Sequence, residues 1–269
     1  NKEFWKYAAG FNIPLLVYYL SQVVFNQSDR IMISHMVGTS DAAMYGVAYN
    51  LAMFLTFVLN AINASYVPWI YEKIKDNKSS ENQTISLMLA ILMGLMILCV
   101  IWYAPEIIVI MAGEQYKAAI YVVAPVAMSL FLLLYCQFFI NVEFYYEEKK
   151  MLIYGSIGAA ILNIILNYIF IPAYGFVAAG YTTLVSYIVF ALSNYYTMQL
   201  CLKKRQLIDN LYNYKGLFLI FVGFIVSGFL GVALYENLVF RMAITLAVLG
   251  LLIVNRNKFL GALKQIRGK

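Results

Sequence analysis

Apolar runs long enough to cross a hydrocarbon layer recur along the whole chain, at about 7–28, 42–70, 84–104, 117–142, 152–171, 176–202, 216–235 and 239–254. A helix rising 1.5 Å per residue needs about 20 such residues to cross a core of about 30 Å. In lipid the backbone has no water to bond to, so runs of this length predict helices that satisfy their own N–H and C=O groups. The expected fold is all-α, a polytopic transmembrane helix bundle of about eight spans. Composition points the same way, with 63% hydrophobic and 12% charged residues, against roughly 25% charged in soluble domains. The mean hydropathy of +0.77 implies more apolar surface than one aqueous core can use.

Cations fix the direction of the spans, because Lys and Arg gather in cytoplasmic loops. With the first loop placed inside, Lys2, Lys6, Lys73, Lys75, Lys78, Lys149, Lys150, Lys203, Lys204, Arg205, Lys215, Arg256, Lys258, Lys264, Arg267 and Lys269 all fall inside, and only Arg30, Lys117 and Arg241 fall outside. One missed or invented span would scramble this bias, so it supports both the count and the orientation. Both termini are expected in the cytoplasm, and the outer loops are too short for an extracellular domain. The second span, about 29 residues or roughly 43 Å, must tilt, bend or protrude. Asn1 to Lys6 reads as a juxtamembrane loop, and the chain reads as part of a longer protein.

The net charge of +6 is accounted for by topology, since the cations form short clusters rather than a stripe with interleaved aromatics; no nucleic-acid partner is expected. Cys99, Cys136 and Cys201 lie far apart and suggest neither a disulfide framework nor a metal site. His35, the sole histidine, has no acid or cysteine neighbour and reads as solvated. No metal, cofactor or catalytic residue is expected, and the chain does not read as an enzyme. Lys203 to Arg205 form a juxtamembrane basic patch suited to anionic headgroups of the membrane lipids.

Polar side chains within the spans carry the functional reading, because in hydrocarbon each needs a partner or a wet cavity. Gln22, Asn26, Asp29 and Arg30 stand at i, i+4, i+7 and i+8, one helical face, with Tyr18 and Tyr19 a turn earlier. That face is expected to line a substrate cavity. Asn60 and Asn63 on the second span, and Gln137 and Asn141 on the fourth, are weaker candidates for the same cavity. Asn163 and Asn167, on the fifth, form another i, i+4 pair suited to bonding between helices. Asp29 lies roughly 33 Å along its helix from Tyr7, near the outer face, where an exposed interfacial pair with Arg30 is the competing reading.

Several stretches resemble the O-antigen and capsule repeat-unit flippases of the multidrug/oligosaccharidyl-lipid/polysaccharide exporter superfamily. They are Asp29-Arg30-Ile31-Met32-Ile33, Ala43-Met44-Tyr45-Gly46-Val47-Ala48-Tyr49, Val67-Pro68-Trp69, Gly113-Glu114-Gln115-Tyr116, Asn163-Ile164-Ile165-Leu166-Asn167-Tyr168 leading to Ile171-Pro172, and Tyr174-Gly175 leading to Ala178-Ala179-Gly180-Tyr181-Thr182-Thr183. The resemblance implies a MATE-like fold of two six-helix bundles and two extra helices. This chain would supply the C-terminal bundle over 1–202, with a polysaccharide-biosynthesis C-terminal region from about 117. A basic linker would follow at 203–215, then the two extra spans at 216–254 and a basic cytoplasmic tail at 255–269. It implies translocation of an undecaprenyl-diphosphate-linked oligosaccharide across the bacterial cytoplasmic membrane by alternating access, with a six-span N-terminal half as partner. Relatives use several cavity cations, whereas only Arg30 lies within a span here. A drug or cation exporter of the same superfamily is the first alternative and a membrane polysaccharide polymerase the second; the latter needs converging acid or base groups that the loops lack.

Overall fold

The computed structural model describes the backbone of residues 2–76, 78–205 and 211–254, with side chains over 16, 18–76, 78–148, 153–205, 211–247 and 250. Among these residues it is all-helical: α1 Lys2–Met36, α2 Thr39–Met53, α3 Leu55–Lys75, α4 Ser79–Trp102, α5 Ala104–Ala112, a 3₁₀ helix Glu114–Ala119, α6 Ile120–Tyr145, α7 Lys149–Tyr174, α8 Phe176–Lys204, α9 Tyr214–Ala233 and α10 Leu238–Val254. Among the described residues six stretches are long and apolar enough to cross a membrane: Thr39–Lys75, Ser79–Trp102, Glu114–Tyr145, Ile153–Tyr174, Phe176–Lys204 and Tyr214–Ala233. They correspond to the second to seventh expected spans. The first expected span falls in α1, whose side chains before Leu16 lie outside the described residues. Of the eighth, the apolar piece Leu238–Ala247 is described. Residues 206–210 of the expected linker and the expected tail at 255–269 also lie outside.

Three local outcomes depart from or sharpen the sequence reading. The long second span bends, breaking at Phe54 between α2 and α3, where the Thr56 hydroxyl donates to the Met53 carbonyl at 2.6 Å. The loop expected between the third and fourth spans holds α5, opened by Pro105 in its first turn and closed at Gly113. Its nine residues are too short to register as a span. The break at 172–175 shrinks to Gly175 alone, at φ 69°, a conformation that costs glycine nothing and lets α8 start at once. Pro172 stays inside α7.

The helices group into two compact units, one made of 1–46 and 135–208 and the other of 47–134 and 209–269. In the first unit α1 packs on α7 and α8, and α7 on α8. α1 presents Phe25, Ser28, Asp29 and Ile33 inward, while Leu16, Tyr19, Leu20, Val23 and Ile31 stay exposed as lipid-facing helix surface would.

In the second unit α4 packs on α9, α3 and α5. Phe131 of α6 stacks on Phe224 of α9, with ring centroids 4.1 Å apart. Tyr66 is a packing residue: its hydroxyl donates to Asn82 at 2.7 Å, and Asn82 donates to the Leu211 carbonyl at 2.8 Å. Arg241, counted with the outer loops from sequence, is a correction: it lies in α10, 1% exposed, in a two-pronged pair with Glu106 at 2.8 and 2.6 Å. The physical reason is that Glu106 and the carbonyls of Trp102 and Tyr235 together engage both terminal nitrogens of the guanidinium.

The α4–α9 contact depends on Gly231. A methyl there would run into the Trp102 indole ring, itself held by its N–H donating to the Ser227 carbonyl at 3.0 Å. Gly231→Ala is expected to destabilise the protein by about 1–3 kcal/mol through overpacking, read as a lower thermal unfolding midpoint in detergent; an unchanged midpoint would contradict this packing.

Candidate functional site

Asp29 anchors a buried polar network within the first unit. One helical turn of α1 brings Ser28 and Asp29 against α7 and α8, with Tyr45 approaching from α2. The Asp29 Oδ2 accepts from the Tyr45 hydroxyl at 2.5 Å and from the Thr183 hydroxyl at 2.7 Å; Oδ1 accepts from the Asn167 amide at 2.6 Å. A second shell of bonds fixes these donors. Asn163 accepts from Ser28 at 3.0 Å and from Asn167 at 3.2 Å, and donates to Thr183 at 3.2 Å. The Thr182 hydroxyl bonds to Asn167. Asp29, Asn163 and Asn167 are all within 1% of complete burial.

The sequence explains how these groups converge. Asn163 and Asn167, four residues apart, share one face of α7, and the one-residue turn at Gly175 folds α8 back so that Thr182 and Thr183 meet that face. Asn26 sits a turn before Asp29 on α1 and accepts from the Tyr187 hydroxyl of α8 at 3.3 Å.

Tyr45, Asn167 and Thr183, which donate to the Asp29 carboxylate, are all neutral. Arg30 reaches away from it, to the Gly46 carbonyl at 3.4 Å. The exposed interfacial pair weighed from sequence is therefore corrected. Asp29 faces helices rather than water, because α7, α8 and Tyr45 of α2 offer three hydrogen bonds that the interface would replace with solvent. Neutral donors stabilise a carboxylate but leave its charge in place, and buried charge is costly. A proton or one small cation neutralises it, and the surrounding carboxyl, hydroxyl and amide oxygens are the ligand types a hard cation takes. Among the described residues no group of three His, Cys, Asp or Glu side chains could hold a metal.

The other candidates divide. Gln22, Gln137 and Asn141 belong to the first unit with Asp29; Asn141 is buried. The Gln22 amide nitrogen and the Gln137 amide oxygen are enclosed without a hydrogen-bond partner. Asn60 and Asn63 belong to α3 in the second unit, Asn60 exposed and Asn63 half-buried. Ser28, Tyr45, Thr182 and Thr183 were not singled out as site residues from sequence. The available signal was the adjacent threonine pair one hairpin away from the Asn163–Asn167 pair.

Comparison with known proteins places this architecture. Residues 1–73 match the family described as polysaccharide biosynthesis protein. The Lsg locus putative protein 1 of Haemophilus influenzae is 28% identical over 160 residues, 59% of this chain and 40% of that protein. An uncharacterized membrane protein of the same organism is 22% identical over 145 residues, 53% of this chain and 36% of the relative. Two solved structures align over 95% of this chain and 62% of theirs at 19% identity. One is an outward-facing multidrug resistance MATE family transporter of the MOP superfamily, at a TM-score of 0.61; the other is a MOP superfamily transporter from Pyrococcus furiosus, at 0.60. This is the fold of MOP superfamily transporters. The chain is accordingly a multi-pass membrane protein with that fold, and it spans about 40% of the length of the curated relatives it matches. The family match falls on α1 to α3, the segment that carries Asp29, Arg30 and Tyr45.

Proposed function

We propose that this MOP superfamily chain is part of a flippase that moves undecaprenyl-diphosphate-linked oligosaccharide repeat units from the inner to the outer leaflet of the bacterial cytoplasmic membrane, by alternating access with a six-span N-terminal half. The observation that carries the reading is the Asp29 network, set among apolar helices, whose Asp29 and Tyr45 lie in the segment that matches polysaccharide biosynthesis proteins. A glycan headgroup crossing hydrocarbon needs neutral hydrogen-bonding partners along its path, and polar α1 and α6 faces bearing Gln22, Asn26, Gln137 and Asn141 offer amides of that kind. Asp29 can supply the second requirement of a transporter, a charge state that biases one conformation over the other. Both termini and the turns at 76–78 and 146–148 are cytoplasmic in this reading, by the distribution of Lys and Arg.

The second reading, export of organic cations, draws on the likeness to a multidrug resistance transporter. It asks for cavity carboxylates free to meet the cargo, whereas the Asp29 carboxylate is buried and engaged by Tyr45, Asn167 and Thr183. Translocation assayed in vesicles holding the chain together with its N-terminal half separates the two. Lipid-linked oligosaccharide reaching the far leaflet supports the flippase. Organic-cation flux with no glycan movement would replace it with the exporter.

A further inference from the structure

The first unit holds a second buried carboxyl group that the Asp29 network does not use. Glu143, in the last turn of α6, is 0% exposed. Its Oε1 is hydrogen-bonded to the Thr197 hydroxyl of α8, and its Oε2 is enclosed with no hydrogen-bond partner. The groups that face it, besides Thr197, are Tyr18 of α1, Cys201 of α8 and Glu148 of the turn that follows. All are neutral or acidic. The nearby cations Lys204 and Arg205 are engaged by Glu148, at 2.7 and 3.1 Å. Among the described residues no salt bridge reaches Glu143.

Thr197 carries the decisive detail. Its single hydroxyl proton is within bonding distance of two acceptors, Glu143 Oε1 and the Asn194 backbone carbonyl at 3.1 Å. A hydroxyl has one proton to give, and Ser and Thr in helices commonly give it to a carbonyl one turn back. Both contacts are full two-centre hydrogen bonds only when the carboxyl donates to Thr197 while Thr197 donates to Asn194. A partnerless Oε2 fits the same assignment, because an enclosed neutral carbonyl oxygen costs far less than an enclosed anionic one.

We propose that Glu143 is a proton-carrying site of this transporter, holding its proton on Oε1 and donating it to Thr197 Oγ1. Release breaks the O–H bond at Oε1 and passes the proton to water. Thr197 then turns its own O–H from Asn194 to the new carboxylate, and an anion is left between α6 and α8. The route to water lies past the turn after α6, closed by Arg205. That guanidinium donates to Glu148 at 3.1 Å and to the Tyr146 carbonyl at 2.7 Å, and lies 4.7 Å from the Tyr146 ring centroid. Lys204, then Arg205, hold the Glu148 carboxyl below its ordinary range. The clasp is therefore fully formed above that range and is lost only as pH falls through the lowered value. Glu143 and Asp29 would give the unit two separately chargeable groups, whatever cargo it carries.

Infrared spectroscopy of the full chain in membranes, with its glutamates labelled at the carboxyl carbon, tests the assignment directly. The wild type is expected to show the carbonyl band of a protonated, label-shifted carboxylic acid at neutral pH. Glu143→Gln should abolish that band, Asp29→Asn should leave it, and Thr197→Val should move it to the position of a carboxyl group that has lost its acceptor. If Glu143→Gln does not accumulate, the wild type and Thr197→Val still decide. No labelled acid band at neutral pH, or one indifferent to Thr197→Val, overturns the proposal. Translocation in the absence of that band would leave the flippase reading standing and remove only the proton site.

Discussion

Asp29→Asn is expected to leave a folded, membrane-inserted protein that translocates substrate at least about tenfold more slowly, the effect of ~1.4 kcal/mol on a barrier. The amide keeps the size of the carboxyl and can still accept from Tyr45 and Thr183 through its oxygen. Its nitrogen then faces the Asn167 amide nitrogen, donor against donor. Relieving that clash by turning Asn167 disturbs its bonds to Asn163 and Thr182, at a cost of about 1–3 kcal/mol. What cannot be recovered is the charge, since asparagine has one protonation state and no longer distinguishes two conformations by it. Asp29→Leu is the harsher change. It strands three buried donors at once, Tyr45, Thr183 and Asn167, and should cost several kcal/mol, on the order of 3 or more. The expected outcome is greatly reduced protein in the membrane. A wild-type rate in Asp29→Asn would show that the network only holds helices together.

Arg241→Met should lower thermal stability in detergent by about 2–3 kcal/mol, less than the ~3–5 kcal/mol typical when one partner of a buried pair is removed. The discount follows from exposure: the Glu106 side chain is 33% accessible, so water can solvate it once it is alone. Most of the loss falls on the carbonyls of Trp102 and Tyr235, which give up their donor. Arg241→Lys should recover only part, since a single ammonium cannot span both carboxylate oxygens. The pair also fixes the acid response. Arg241 holds the Glu106 carboxyl below its ordinary range, so its stabilisation is complete above that range and disappears as pH falls through the lowered value. The methionine variant should therefore lose less stability than the wild type over that acid interval. Equal acid sensitivity in the two proteins would contradict this account of the pair.

Much of the fold could be read from spacing because the bilayer imposes its own ruler. Run length and flanking cations gave six spans that the structure also presents, and the excess length of the second appeared as the break at Phe54. Short and amphipathic pieces escaped that ruler, as α5 did with nine residues. The candidate site was legible by halves. Helical periodicity put Asn26 and Asp29 on one face and paired Asn163 with Asn167. Depth counted along α1 placed Asp29 near an interface, yet depth says nothing of what stands opposite. Its partner Thr183 is 154 residues away in the sequence, and no local pattern announces a contact of that span. Arg241 was misjudged for the same reason, its partner Glu106 lying 135 residues earlier. Glu143 escaped notice because the apolar run was closed at 142, whereas α6 continues to Tyr145 and carries the carboxyl inside with it.

Site-specific cysteine labelling in intact cells, with Cys99, Cys136 and Cys201 replaced by serine or alanine, tests most directly the central claim that these helices cross a membrane in alternation. An impermeant thiol reagent should reach Glu114→Cys and Asn237→Cys from outside, and should reach Lys78→Cys and Glu147→Cys only after the membrane is opened. Labelling of positions 114 and 147 from the same side would contradict the claim, and with it every assignment of inside and outside made for the Asp29 and Glu143 sites.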